Sequence, residues 1–490
     1  MSTDTSTRPV RHAVTVISTD LSRKEQRRQR VAARKAALEF MRTQSVDSGD
    51  DGGLPGPRLK TAGRDGANRF RGGTEHFHVP VHRSGSPVLA AALPFLAESG
   101  LAVHGPGVGL DVNAGGLFCY DPFELYEAGV ISSPNMVIVG EFGQGKSTCA
   151  KTIIARSLAY GRKAAVASDP KGEWVPVAEA VGGKAIQIGP GQTTRLNPLD
   201  EGHRPAGYSA NEWVGVVTGR RRRLVGALAT TLLSRPLLPK EHSALDIALS
   251  EETREARIPT VGGLTNRIWE RAQTEQDTGD WGRDLGHALR RLTQGDLAGM
   301  FDGASTTSFD SNSPLVVIDT SRLQQAGDLA LSLASTCSAA WLEAVVTDTS
   351  AGKRWLIYEE GWRMLRDEAQ LNRMQEQWRL SRHWGLANML IMHRVSDLDT
   401  AGDQGSKVRE LALGLLSGAE TKVVYRQDSM LVDRTVHDLG LTPEQGNVTR
   451  DVIKGRALWK VGKRAFVVDN FATVTAAERA VFDTDQRMVG

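Results

Sequence analysis

An apolar run from Met136 to Val139, followed by Gly140-Glu141-Phe142-Gly143-Gln144-Gly145-Lys146-Ser147, restricts what this chain can fold into more than any other stretch. The eight residues complete the pattern G-x-x-x-x-G-K-[ST], which has mechanical meaning only where a strand precedes it and a helix follows. Both neighbours are legible: MVIV reads as a buried strand, and Thr148–Tyr160 has helical spacing. Gly140, Gly143 and Gly145 let the backbone turn with its N–H groups inward, and the helix opening near Lys146 adds its positive end to the same concavity. That concavity fits the phosphates of a nucleotide. Lys146 would reach the β- and γ-phosphates, the Ser147 hydroxyl would hold a Mg²⁺ bridging them, and Glu141, Phe142, Gln144 and Thr148 complete the binding stretch.

The rest of the composition narrows the class. A chain of 490 residues holds roughly three domains' worth of sequence, and 40% hydrophobic residues suffice for a large core. The net charge of +3 conceals an uneven distribution: residues 1–70 carry 14 Lys/Arg against 8 Asp/Glu, while the remainder carries 46 against 49. The arm is basic and the body slightly acidic. Leu21–Arg42 reads as a basic helix able to touch nucleic acid, anionic lipid or an acidic partner, or simply to aid solubility; Ser45–Gly73 reads as a disordered linker. Cys119, Cys149 and Cys337 are widely spaced, which indicates neither a disulfide framework nor a zinc site and makes a reducing cytoplasm the default. No apolar stretch approaches the roughly 20 residues that span a bilayer, and the polar amino terminus lacks a secretory signal.

Along the chain we expect a disordered basic arm and linker over 1–75, a small β-rich lead-in over 76–134, a first core part over 135–210, a helical insertion over 211–309, and a second core part over 310–490 ending in a hairpin around Gly462. Strand character at 163–168, 185–188, 314–318, 355–358, 387–392 and 421–425, alternating with helical stretches, points to an α/β fold with a parallel-rich sheet covered on both faces. Four consecutive arginines, Arg220 to Arg223, fall in the helical insertion. Neighbours on a helix diverge by about 100°, so only some of them could face DNA, and a solvated helix face is the alternative.

A phosphate-binding loop that hydrolyses its nucleotide needs acidic groups at the end of a neighbouring strand. Glu359-Glu360 after WLIY can divide metal support and water activation, whereas Asp319 after LVVI has no second acid and reads as a cap or turn residue. With Asp169-Pro170-Lys171-Gly172-Glu173, Asn197-Pro198-Leu199, Gly295 to Gly303 and Glu359-Glu360-Gly361-Trp362 following the loop in order, the chain resembles the conjugative-transfer and type IV secretion ATPases of the HerA/FtsK superfamily over residues 118–470.

The resemblance implies a RecA-like motor domain with a helical insertion that binds ATP and Mg²⁺. It further implies a homo-oligomer, with a hexamer as the expected ring, cytoplasmic or peripheral at the inner face of the cell membrane, serving a membrane-bound conjugation or secretion complex and with DNA as a further partner. Glu360 matches the family's catalytic Glu. Glu359 stands where the family usually has Asp and would support the metal. His393 occupies the place of a polar γ-phosphate sensor, and Arg394 and Arg426 are the candidates for an arginine acting on a neighbouring subunit. A slow nucleotide-gated assembly factor and a DNA-binding protein regulated by nucleotide are the alternative functions.

Overall fold

Short apolar runs without polar alternation, such as MVIV and LVVI, are stable as strands only where both sheet faces are covered. In the computed structural model, which describes residues 100–205, 207–274, 280–295, 297–308, 312–346, 352–361, 368–395 and 406–483, these runs form interior strands of one large sheet. The arm, its basic helix and linker, residues 76–99 of the lead-in, and Asp296, Trp362, Ser396 and Asp397 lie outside the described residues.

The strands are β1 (Gly107–Asp111), β2 (Leu117–Cys119), β3 (Met136–Val139), β4 (Lys163–Asp169), β5 (Lys184–Gln187), β6 (Leu315–Asp319), β7 (Arg354–Tyr358), β8 (Leu386–Met392), β9 (Thr421–Val424), β10 (Arg456–Val461) and β11 (Arg464–Asp469). They lie in the order β2-β1-β11-β10-β9-β3-β8-β7-β4-β6-β5. From β9 through β5 every pairing is parallel, and β9 is the last parallel strand, because β10 and β11 form a hairpin that pairs antiparallel with it. Residues 100–134 supply β1 and β2, which extend this antiparallel edge, β1 pairing with β11 and β2 with β1.

Side chains alternate between two cores. Val137, Val139, Ala165, Val316, Ile318, Leu356 and Leu390 point into one; Met136, Ile138, Val166, Val317, Trp355, Ile357 and Ile391 point into the other. Burying each such Val, Ile or Leu stabilises the fold by about 1.5–3 kcal/mol, and a one-residue register slip would exchange the two sets. The first core is covered by the helical stretch of Ala210–Leu233, Pro239–Glu255, Val261–Thr274 and Arg283–Gln294 together with Asp328–Val346, Glu368–Leu380 and Lys407–Ser417; the second by Lys146–Ala159 and Val175–Ala180.

The helical stretch is locally encoded. Its longest helix, Ala210–Leu233, opens on a capping box between Ser209 and Glu212, and Arg283–Gln294 buries Leu285, Ala288, Leu289 and Leu292, the spacing of one helical face. Among the described residues no helix is long and apolar enough to cross a membrane.

Candidate active site

The phosphate-binding loop leaves β3 where β3 is flanked by β8 and β9, with Val139 level with Met392 and Val424. Gly140 N donates to His393 O at 3.1 Å and Glu141 N donates to Arg426 O at 3.2 Å, so the loop is tied to both neighbouring strand ends. Gly140 has no alternative, since a Cβ there would stand 2.4 Å from Cβ of Tyr425. Gly145 caps the helix Lys146–Ala159 at φ 108°, a conformation that favours glycine, and supplies no side-chain bond to the helix. The first-turn N–H groups therefore keep their capacity for an anion. Lys146 is buried and folds back on its own loop, its Nζ donating to Glu141 O at 2.7 Å.

The acidic pair follows β7, and its members are in different states. Glu360 has φ 52°, a left-handed backbone that a non-glycine residue adopts at a cost of order 1–3 kcal/mol. Its Oε1 lies 2.6 Å from Lys171 Nζ and 3.1 Å from His393 Nε2. A carboxylate only accepts, so Nε2 carries the proton. Burial alone would raise the Glu360 pKa, but the bonds from His393 and Lys171 outweigh it and hold the carboxyl well below its usual range. Glu359 instead accepts from Trp174 Nε1 at 3.0 Å, and burial pushes it up to about 7.

Both partners, Lys171 and Trp174, come from the turn after β4. Asp169 organises that turn by accepting from Glu173 N at 3.1 Å and Trp174 N at 2.7 Å, and burial pushes its own carboxyl up to about 6. Asp319 closes β6 and caps the turn that follows, accepting from Ser321 N and Gln187 Nε2, both at 2.9 Å. His393 is stacked as well as bonded: the Phe142 ring lies on it, with centroids 3.7 Å apart and planes 28° from parallel. Among the described residues its buried Nδ1 has no hydrogen-bond partner.

A cavity of about 290 Å³ runs over the loop and is lined by Phe142, Gly143, Gly145 to Thr148, Lys171, Glu173 and His393. Its other wall is the carboxyl-terminal segment, through Lys454, Phe471, Val474, Arg479, Phe482 and Asp483. Two basic residues of the phosphate-loop helix fasten that wall. Arg156 forks onto Glu478 at 2.7 and 2.8 Å and reaches Thr473 O at 2.6 Å, while Lys151 Nζ donates to Phe482 O at 3.1 Å and lies 3.5 Å from Glu173 Oε2. Sequence reasoning missed this wall, and nothing local marks it.

VirB4 of Thermoanaerobacter pseudethanolicus superposes with a TM-score of 0.62 over 76% of this chain and 98% of its own. The chain has the fold of VirB4. At 22% identity the likeness to VirB4 is one of fold. The plasmid coupling protein TrwB in complex with the non-hydrolysable ATP analogue ADPNP also aligns, at 15% identity and a TM-score of 0.48, over 81% of this chain and 96% of its own. No protein-family model matches the sequence, and no curated protein matches it.

Within this VirB4-like fold, Arg394 and Arg426 have exposed side chains that do not line the cavity; the Arg426 main chain is what holds the loop. The arginine run is neither a solvated face nor a single basic surface. Arg220 and Arg221 are buried and donate to the carbonyls of Asp200, Glu201 and Leu199, fixing the turn after Asn197-Pro198. Arg222 pairs with Asp246 at 2.6 Å and Arg223 with Glu376 at 3.0 Å. A helix that crosses a loop so closely turns two neighbouring arginines inward as carbonyl donors, which residue type alone does not disclose.

Proposed function

We propose that this chain is a Mg²⁺-dependent ATPase that energises conjugative DNA transfer or type IV-like secretion. One observation carries the reading: a complete phosphate-binding loop shares a cavity with Lys171 and His393, the two residues that hold the carboxylate of Glu360. Lys146 and the first-turn N–H groups bind the phosphates of ATP. Glu360 takes a proton from water as its oxygen attacks the γ-phosphorus; a P–O bond forms, the bond to the β–γ bridging oxygen breaks, and ADP leaves with that electron pair. His393 keeps Glu360 oriented during this transfer and, through Phe142 and Gly140, ties its position to that of the loop.

The donor set fits a divalent ion. Ser147, which lines the cavity, would hold the ion through its hydroxyl, and Glu359, a half-buried carboxyl pushed up to about 7 by desolvation, would reach it through water. Bound there, Mg²⁺ would neutralise charge on the phosphate oxygens.

Arg394 and Arg426, exposed at the loop's edge, would act on the site of a neighbouring subunit in a homo-oligomeric ring, for which a hexamer is the expected form. The chain would work in the cytoplasm, docked at the inner face of the membrane through a conjugation or secretion complex. The second reading, a slow nucleotide-gated assembly factor, is favoured by the pairing of Glu360 with Lys171. Hydrolysis followed in a single turnover tests the assignment. Glu360→Gln should bind ATP and lose about two to four orders of magnitude in rate, with Asp319→Asn near normal; the reverse pattern would place the base on β6.

A further inference from the structure

Lys171 has two environments within reach. Its Nζ lies 2.6 Å from Glu360 Oε1, yet its side chain keeps 40% of its exposure and lines the same cavity as Lys146 and Ser147. The backbone beneath it is fixed: Asp169 accepts from Glu173 N and Trp174 N across the turn, and Gly172 holds φ 70°. A flexible four-carbon stem on a fixed turn can move its ammonium without moving the chain. The same Glu360 oxygen is also held by His393, so the carboxylate stays oriented if Lys171 departs.

We propose that Lys171 is the cation of this site that responds to the γ-phosphate: it leaves Glu360 for the terminal phosphate of a nucleoside triphosphate and so frees the carboxylate for the water. The proposal rests on the ATPase reading. A terminal phosphate offers three oxygens and more charge than a carboxylate, so a triphosphate competes for the ammonium where a diphosphate, lacking that group, does not. Glu360 is then masked without nucleotide and with ADP, and exposed only when substrate is bound. This accounts for a base that stands paired to a lysine, a cation that would otherwise compete for the very lone pair that accepts the proton.

Binding of ADP and of a non-hydrolysable ATP analogue to the full chain tests this, with thermal melting as the control for folding. Lys171→Met should weaken the analogue about 10- to 100-fold, the value of a hydrogen bond between charged groups, and leave ADP within about twofold. Lys171→Arg should recover part of the loss. Glu360→Gln, which releases the ammonium, should tighten the analogue and not ADP, and should do so only while Lys171 is present. Equal losses for both nucleotides, or none, with a wild-type chain that binds the analogue, would overturn the assignment of Lys171 alone. A wild-type chain that binds no triphosphate would overturn the ATPase reading and this proposal with it.

Discussion

Glu359 provides a test of the site that requires no knowledge of the substrate. Burial pushes its carboxyl from 4.5 to about 7, and its bond from Trp174 Nε1 does not reverse that rise. In the unfolded chain the same carboxyl releases its proton near 4.5, so between these values the folded protein holds more protons than the unfolded one. Stability must therefore fall as the pH rises through this window, the opposite of a salt-bridged carboxylate. Between pH 5 and pH 8 the loss from this single group comes to about 2–3 kcal/mol. Glu359→Gln keeps the size and an oxygen for the indole but cannot ionise, so its stability should lack this decline. Urea unfolding of both proteins at pH 5 and pH 8 gives a double difference in which the other groups cancel to first order. Parallel pH profiles would mean that Glu359 is ionised in the folded protein at neutral pH, and the argument that desolvation holds it protonated would fall. If the argument holds, the same substitution should raise the Mg²⁺ concentration needed for hydrolysis, because a ligand for the hydrated ion has gone.

Two further substitutions probe the walls of the cavity. Lys146→Ala should abolish most ATP binding, read by isothermal titration, while the melting temperature stays within a few degrees, since Lys146 serves a loop carbonyl and not a hydrophobic core. Arg156→Met removes the fork on Glu478 and the bond to Thr473 O; for these partly buried groups we expect a cost of about 1–3 kcal/mol. Faster hydrogen exchange confined to residues 471–483, with weaker nucleotide binding, is the expected result, and unchanged exchange there would show that the wall is held by its apolar contacts alone.

The parallel strands were legible because burial on both faces makes them largely apolar: the expected strand at 421–425 matches Thr421–Val424, and that at 387–392 matches Leu386–Met392. The phosphate-binding loop was legible because its glycines answer to local backbone demands. What escaped are contacts set by sheet order. Arg156 and Glu478 are 322 residues apart, and neither carries a sign of the other. Lys171 stood inside a motif that could be quoted, but its partner is reached only because β4 pairs directly with β7. The buried Arg220 and Arg221 escaped for the opposite reason, since a run of charge suggests solvent until the carbonyls that accept from it are known.

The order β9-β3-β8-β7-β4 also places His393 between the loop and Glu360. The loop leaves β3 and the acidic pair leaves β7, with β8 between them. Two strand spacings come to about 10 Å, too far for a loop residue to position Glu360 directly. A residue at the end of β8 is the natural bridge, and His393 makes both connections: its carbonyl accepts from Gly140 N, its ring lies under Phe142, and its Nε2 reaches Glu360. On the proposed mechanism, a movement of the loop on binding phosphate would reach Glu360 through this imidazole. Lys171, arriving from β4 on the far side of β7, reaches the same oxygen from the opposite direction. Glu360 thus stands between one partner coupled to the loop and another exposed to the cavity, which is the arrangement a base requires if its availability is to depend on what the loop holds.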